Sequence, residues 1–138
     1  AKHVGTVLAA VAREVEASAN PAASPAGIVI GGETTVTVHG HGVGGRNQEL
    51  ALAALFKLGG TKTCAIACLS TDGVDGPTDA AGAIVDSTTL QRAADLKLDP
   101  QKFLLENDSN RFFSQLGDLI VTKPTGTNVN DISVIVVL

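Results

Sequence analysis

The chain has 138 residues, 44% of them hydrophobic and 17% charged, which suits one packed domain and argues against a disordered chain. Fourteen acids against ten Lys and Arg leave a net charge of −4, and the aromatics are four Phe, so neither nucleic acid nor an anionic membrane is an expected partner. No apolar run nears the ~20 residues that span a bilayer, and no basic stretch leads into an apolar one as in a signal peptide, so a cytoplasmic protein is expected.

The chain opens at Ala1 and contains no methionine, as expected of a processed chain or a piece of a longer one. Val4, Val7, Leu8, Val11 and Val15 recur at helical spacing. Asn20-Pro21 and Ser24-Pro25 then end that helix in a stiff connector. Residues 27–30 read as a short strand stopped at Gly31-Gly32. Residues 34–38 read as a second, β-branched strand, and the two are expected to pair as a hairpin through a Gly-Gly-Glu turn. A glycine-rich loop follows, and then a helix over 47–58 that is apolar on nearly every side after Glu49 and closed by Gly59-Gly60.

Residues 63–69 form a continuous apolar run of the kind buried on both faces of a parallel sheet. It holds Cys64 and Cys68, expected to be a reduced, buried pair. A further short strand is expected at 83–85. Helices are expected at 87–96 (N-cap Ser87 or Thr88), at 100–106 behind Asp99, and at 109–116 between Asp108 and Gly117. Strands at 119–122 and 132–138 complete the chain. Strands alternating with helices give an α/β fold, expected as three layers around a mixed, mostly parallel β-sheet flanked by helices.

Three polar loops follow strands, where ligands gather in open α/β sheets. In the first, Gly44 and Gly45 lead through Arg46 into a helix. Glycines let backbone N–H groups approach an anion, a helix N-terminus adds partial positive charge, and Arg46 offers a two-pronged fork. This suits a phosphate or carboxylate, but the same residues also suit a plain turn, and spacing leaves both readings open. It is neither a Walker A loop nor a dinucleotide fingerprint. In the second loop, Asp72 and Asp75 lie three apart on glycine turns. They could hold Mg²⁺ or receive a hydroxyl proton, or simply shape the turn. The third loop, with Thr125, Gly126, Thr127, Asn128 and Asp131, offers hydroxyls, amides and a carboxylate, and turn chemistry would account for it equally well. His39 and His41 lack further ligands for zinc. A Ser-His-Asp triad has no nucleophile elbow.

The run Gly31-Gly32-Glu33-Thr34-Thr35-Val36-Thr37-Val38, followed by Gly44-Gly45-Arg46-Asn47-Gln48-Glu49, resembles the start of the MOFRL domain, the C-terminal part of class II glycerate kinases. Thr71-Asp72-Gly73-Val74-Asp75-Gly76-Pro77-Thr78-Asp79, Asn107-Asp108-Ser109, Phe112-Phe113, Gly117-Asp118-Leu119 and Thr125-Gly126-Thr127-Asn128-Val129-Asn130-Asp131 match in the same order. The resemblance implies a domain over 27–138, with 1–26 a helix and linker leading in from an absent N-terminal nucleotide-binding domain. It implies an ATP- and Mg²⁺-dependent kinase that phosphorylates D-glycerate to 2-phosphoglycerate, this chain forming one wall of an inter-domain cleft. Lys123 departs from the family pattern, where Gly is expected.

Carried over by resemblance, Arg46 would clamp the glycerate carboxylate or the transferring phosphoryl group on the Gly44-Gly45 loop, with Asn47 and Glu49 orienting Arg46 or that loop. Asp72 and Asp75 would hold Mg²⁺ or the substrate hydroxyl. Thr125, Gly126, Thr127, Asn128 and Asp131 would form the facing loop, and Glu33 ranks lower because its turn has a structural use. A competing reading is a non-catalytic anion-binding or assembly module. An oxidoreductase reading lacks a dinucleotide fingerprint. A domain separated from its neighbour is also expected to expose an apolar face and to self-associate as a homo-oligomer.

Overall fold

The structure, a computed structural model, describes all of residues 1–138. In chain order the elements are α1 (Lys2–Ser18), β1 (Ala26–Gly32), α2 (Arg46–Leu58), β2 (Cys64–Ser70), β3 (Gly82–Asp86), α3 (Thr89–Asp95), α4 (Pro100–Leu105), α5 (Ser109–Leu116), β4 (Leu119–Ile120) and β5 (Asp131–Val137). No helix is long and apolar enough to cross a membrane.

The five strands form one sheet in the order β1-β5-β2-β3-β4. Every neighbouring pair is antiparallel, so the expected mostly parallel sheet is corrected. The reason lies in β2. Its residues are buried alternately, with Cys64, Ile66, Cys68 and Ser70 inward, and it reads as a buried parallel strand only because Ala65, Ala67 and Leu69 on its other face are also apolar. The expected hairpin is absent as well. β1 pairs with β5, from the far end of the chain, while residues 33–39 run outside the sheet, held by the Ala1 ammonium donating to Thr35 O (2.6 Å) and Asn107 Nδ2 donating to Thr37 O (3.4 Å).

The helices pack on one face of the sheet, so there are two layers rather than the three expected. The covered face carries Ile66, Cys68, Val85, Ile135 and Val137, which join α1 and α2 in the core. On the other face, Val29, Val134, Ala67 and Ile84 stand side by side in one row across four strands. Val29 is 69% and Ile84 41% exposed.

α2 is central. Leu52, Leu55 and Leu58 are fully buried, and each contributes about 1.5–3 kcal/mol relative to exposure. α1 supplies Leu8, Ala9, Ala12 and Val15 to the same core, so the opening helix is structurally part of this layer. The two helices come close at Gly5, where a Cβ would stand 2.1 Å from Leu50 O.

Cys64 and Cys68 are free and buried, as expected. Burial raises their thiols to about 11 and about 12 respectively, which keeps them protonated and unreactive at neutral pH. Asp99 caps α4, accepting from Gln101 and Lys102 N–H. Thr88 stands at the N-cap of α3 without a side-chain cap bond, its own N–H donating to Asp86 Oδ1 instead. Asp108 precedes α5, but its Oδ1 accepts from Val43 N–H in the glycine loop, at 3.0 Å.

Candidate functional site

β1 and β2 both run antiparallel to β5, and therefore parallel to each other without being adjacent. Their last residues, Gly32 and Ser70, both pair with Asp131, the first residue of β5. One rim of the sheet thus collects all three loops singled out in the sequence, and Asp131 stands at its centre.

Arg46 opens α2 immediately after Gly45, the extended N-cap residue. Its Nε and Nη2 donate to the two Asp131 oxygens at 2.6 and 2.8 Å, and Glu33 lies 3.6 Å from Nη2. The Asp131 bond raises the Arg46 pKa further above its ordinary value. Both carboxylates take the Nε/Nη2 side, and Nη1 has no partner within the chain. Arg46 is therefore a guanidinium fixed along one edge and free along another, with its side chain 26% exposed.

The glycines are required by close packing. A Cβ on Gly45 would stand 2.2 Å from Asp75 Cγ, and one on Gly44 would stand 2.2 Å from Ser109 Oγ. The N–H groups of Gly44, Gly45 and Arg46 donate to no acceptor of the chain. They border an open cleft of about 590 Å³ that also includes Thr35, Glu49 and Ser109.

The next two amides of α2 are not available to a ligand. Asn47 N–H donates to Asp75 Oδ1 (3.0 Å) and Gln48 N–H to Asp75 Oδ2 (2.9 Å), with the Asn47 and Gln48 side-chain amides adding bonds to the same oxygens. Asp75 is fully buried. It caps α2 from a distant loop and supplies the negative charge that a helix N-terminus favours.

The expected Mg²⁺ pairing of Asp72 with Asp75 does not fit these donor sets. Both Asp75 oxygens are saturated by N–H donors. Asp72 Oδ1 accepts from Ser70 Oγ and Val74 N–H, and its Oδ2 from Asn128 Nδ2 at 3.3 Å. The Val74 amide and the Ser70 hydroxyl, in that order, lower the Asp72 pKa. No three acidic, His or Cys side chains cluster as a metal would need.

The third loop is bound to the second. Thr125 N–H donates to Asp72 O, and Thr125 Oγ1 donates to Thr71 O at 2.6 Å. Thr127 N–H reaches Thr125 Oγ1 (3.4 Å), Gly126 turns between them at φ 78°, and Asn128 Oδ1 accepts from Asn130 N–H. These residues are exposed and touch Arg46 only through Asp131. Lys123, the departure from the family pattern, adopts φ 64°, a left-handed geometry that favours glycine. Glu49 lines the same cleft but makes no bond to Arg46. Its Oε2 accepts from Asn107 Nδ2 (2.9 Å), and Asn107 Oδ1 holds the His39 and Gly40 amides.

Sequence reasoning missed Gln48. Its Nε2 donates to Asp75 and to Thr78 Oγ1, and its Oε1 accepts from Asn110 Nδ2, so one fully buried amide ties α2 to two other segments. The available signal was a Gln at the head of a helix that is apolar over most of its length, since a buried amide must find partners.

Residues 26–131 match the MOFRL family. The chain is 46% identical over 132 residues to a D-glycerate 2-kinase of Thermotoga maritima, covering 96% of this chain and 32% of that protein. It is 43% identical over 138 residues to a glycerate 2-kinase of Pyrococcus horikoshii, covering 99% and 31%. The crystal structure of a Thermotoga maritima glycerate kinase superposes with a TM-score of 0.97 at 43% identity, covering 99% of this chain and 33% of that one. The chain thus spans about a third of the length of these relatives.

Proposed function

The chain belongs to the MOFRL family, and from that premise we propose that it is the C-terminal third of an ATP-dependent glycerate 2-kinase, forming one wall of a cleft whose other wall is a nucleotide-binding domain. The observation that carries this reading is Arg46, fixed by Asp131 with Nη1 free beside the unpaired amides of Gly44 and Gly45. Such a seat suits a carboxylate or a phosphoryl oxygen. It is preorganised, because Asp131 holds the Arg46 guanidinium and the buried Asp75 holds the two backbone amides that follow it before any ligand arrives.

In the reaction proposed, the C2 hydroxyl oxygen of D-glycerate attacks the γ-phosphorus of ATP. The bond from that phosphorus to the β–γ bridging oxygen breaks, ADP leaves, and the hydroxyl proton passes to water. Charge spreads over the transferred group, so its stabilisation and the alignment of the acid are what protein groups supply. Arg46 and the Gly44 and Gly45 amides do so here. Thr125, Gly126, Thr127 and Asn128 form the outer lip of the rim, with Thr125 and Asn128 keeping Asp72 in place. Glu49, through Asn107, and Asn47, through Asp75, shape the loop rather than the fork. No step is assigned to Mg²⁺ on this chain, since Asp72 and Asp75 are committed to internal hydrogen bonds.

The test is ADP release by the complete protein carrying this chain, with ATP and D-glycerate, and identification of the phosphorylated carbon. D-glycerate-dependent release with phosphate on C2 is expected. Saturable anion binding without turnover would favour the non-catalytic module.

A further inference from the structure

Asn47 Oδ1 and Thr34 Oγ1 are the two buried side-chain polar atoms without a hydrogen-bond partner. Such atoms are uncommon in native proteins and each calls for a cause. Both residues line the same cavity of about 260 Å³, beside the Arg46 cleft, which it meets along Glu33 and Thr34. The orientation of the Asn47 amide is fixed, because its Nδ2 donates to Asp75 Oδ1. Turning it over would set oxygen against oxygen. Asn47 is 1% exposed, so bulk solvent does not supply that bond in the free chain.

The chemistry of the cavity is one-sided. Asp131 and Glu33 put carboxylates on it and no Lys or Arg lines it, while Ile30 and Leu50 give it an apolar wall. An anion is disfavoured there. A –CH2OH group fits: its hydroxyl can donate to Asn47 Oδ1, which offers no proton, and pair with Thr34 Oγ1, which can give or take one. Its methylene lies against the apolar wall.

We infer that this cavity seats the non-reacting alcohol of the substrate, with Asn47 and Thr34 as residues that select for it. The inference rests on the kinase reading above. The acid bound at Arg46 would place its C2 oxygen for transfer and send its C3 hydroxymethyl group into the cavity. A site built to pair a hydroxyl rejects the analogue lacking it, because its own polar atoms are then left unpaired.

The experiment compares kcat/KM for D-glycerate and D-lactate, the same acid without the C3 hydroxyl, in the complete protein. Wild type is expected to prefer D-glycerate by at least ~30-fold. Thr34→Val should cut that preference about tenfold while leaving the unfolding midpoint unchanged or raised, since it removes an unpaired buried hydroxyl. Thr34→Ser, which keeps the hydroxyl, should retain the wild-type preference. Equal use of the two acids by wild type, or a preference that Thr34→Val does not move, would overturn the alcohol seat and leave the kinase reading standing. Failure to phosphorylate D-glycerate at all would overturn both.

Discussion

Asp75 shows how one residue can be chemically conspicuous and still work from behind the site. Two carboxylates on glycine turns look like ligands, but the one at 75 is enclosed and receives two backbone and two side-chain N–H groups from the start of α2. Asp75→Ala would leave those donors buried and unpaired. We predict a loss of about 3 kcal/mol in stability, measured by urea unfolding, with the fall in activity following from disorder of the Arg46 turn. Unchanged stability would mean that Asp75 is not the cap. Sequence spacing could not distinguish these roles, because Asp-Gly serves metals, turns and remote caps alike. What separates them is which way the loop folds over Gly45.

Among the elements, the helices were legible because each carried its own punctuation. The Val and Leu spacing of α1, Asp99-Pro100 before α4 and Gly117 after α5 are local signals, and the structure bears them out within a few residues. The sheet was not legible in the same way. β5 inserts between β1 and β2, a pairing across more than half the chain that no local pattern encodes. The apolar residues on the uncovered face also hid the alternation of β2. At this scale the crossing of α1 and α2 is the vulnerable contact. Gly5→Ala would drive a Cβ into the Leu50 carbonyl, a backbone atom that cannot swing aside. Despite the better helix propensity of Ala, a net loss of about 1–3 kcal/mol is expected, read as a lower unfolding midpoint. An unchanged midpoint would show that the helices slide apart freely.

Taken as a whole, the molecule is two-layered, with the proposed chemistry gathered on one rim and its loops fastened by carboxylates. Glu16 is held below the usual carboxylate range by the Lys62 and Thr63 amides, joining α1 to the start of β2. Asp72 is lowered by the Val74 amide and the Ser70 hydroxyl. Burial pushes Asp86 up, but bonds from Thr88 outweigh it and leave that group lowered too. A carboxyl whose pKa is depressed in the folded state stabilises fully above its unfolded value, near 4, and loses that contribution as pH falls through the folded value. The unfolding midpoint should therefore stay flat from pH 7 to about 5 and drop progressively below pH ~4. A midpoint that rose on acidification would contradict these assignments.

The rim was readable as a set of loops, since Gly44-Gly45-Arg46 and Asp131 were both singled out. Their bidentate contact was not, because it joins residues 85 positions apart. That contact and the free Nη1 edge make Arg46 the group on which the proposed chemistry turns. The most direct measurement is kcat/KM for D-glycerate in the complete protein with Arg46→Ala. A fall of at least ~100-fold, about 2.7 kcal/mol of transition-state stabilisation, is predicted. Near wild-type kinetics would contradict the site at its centre.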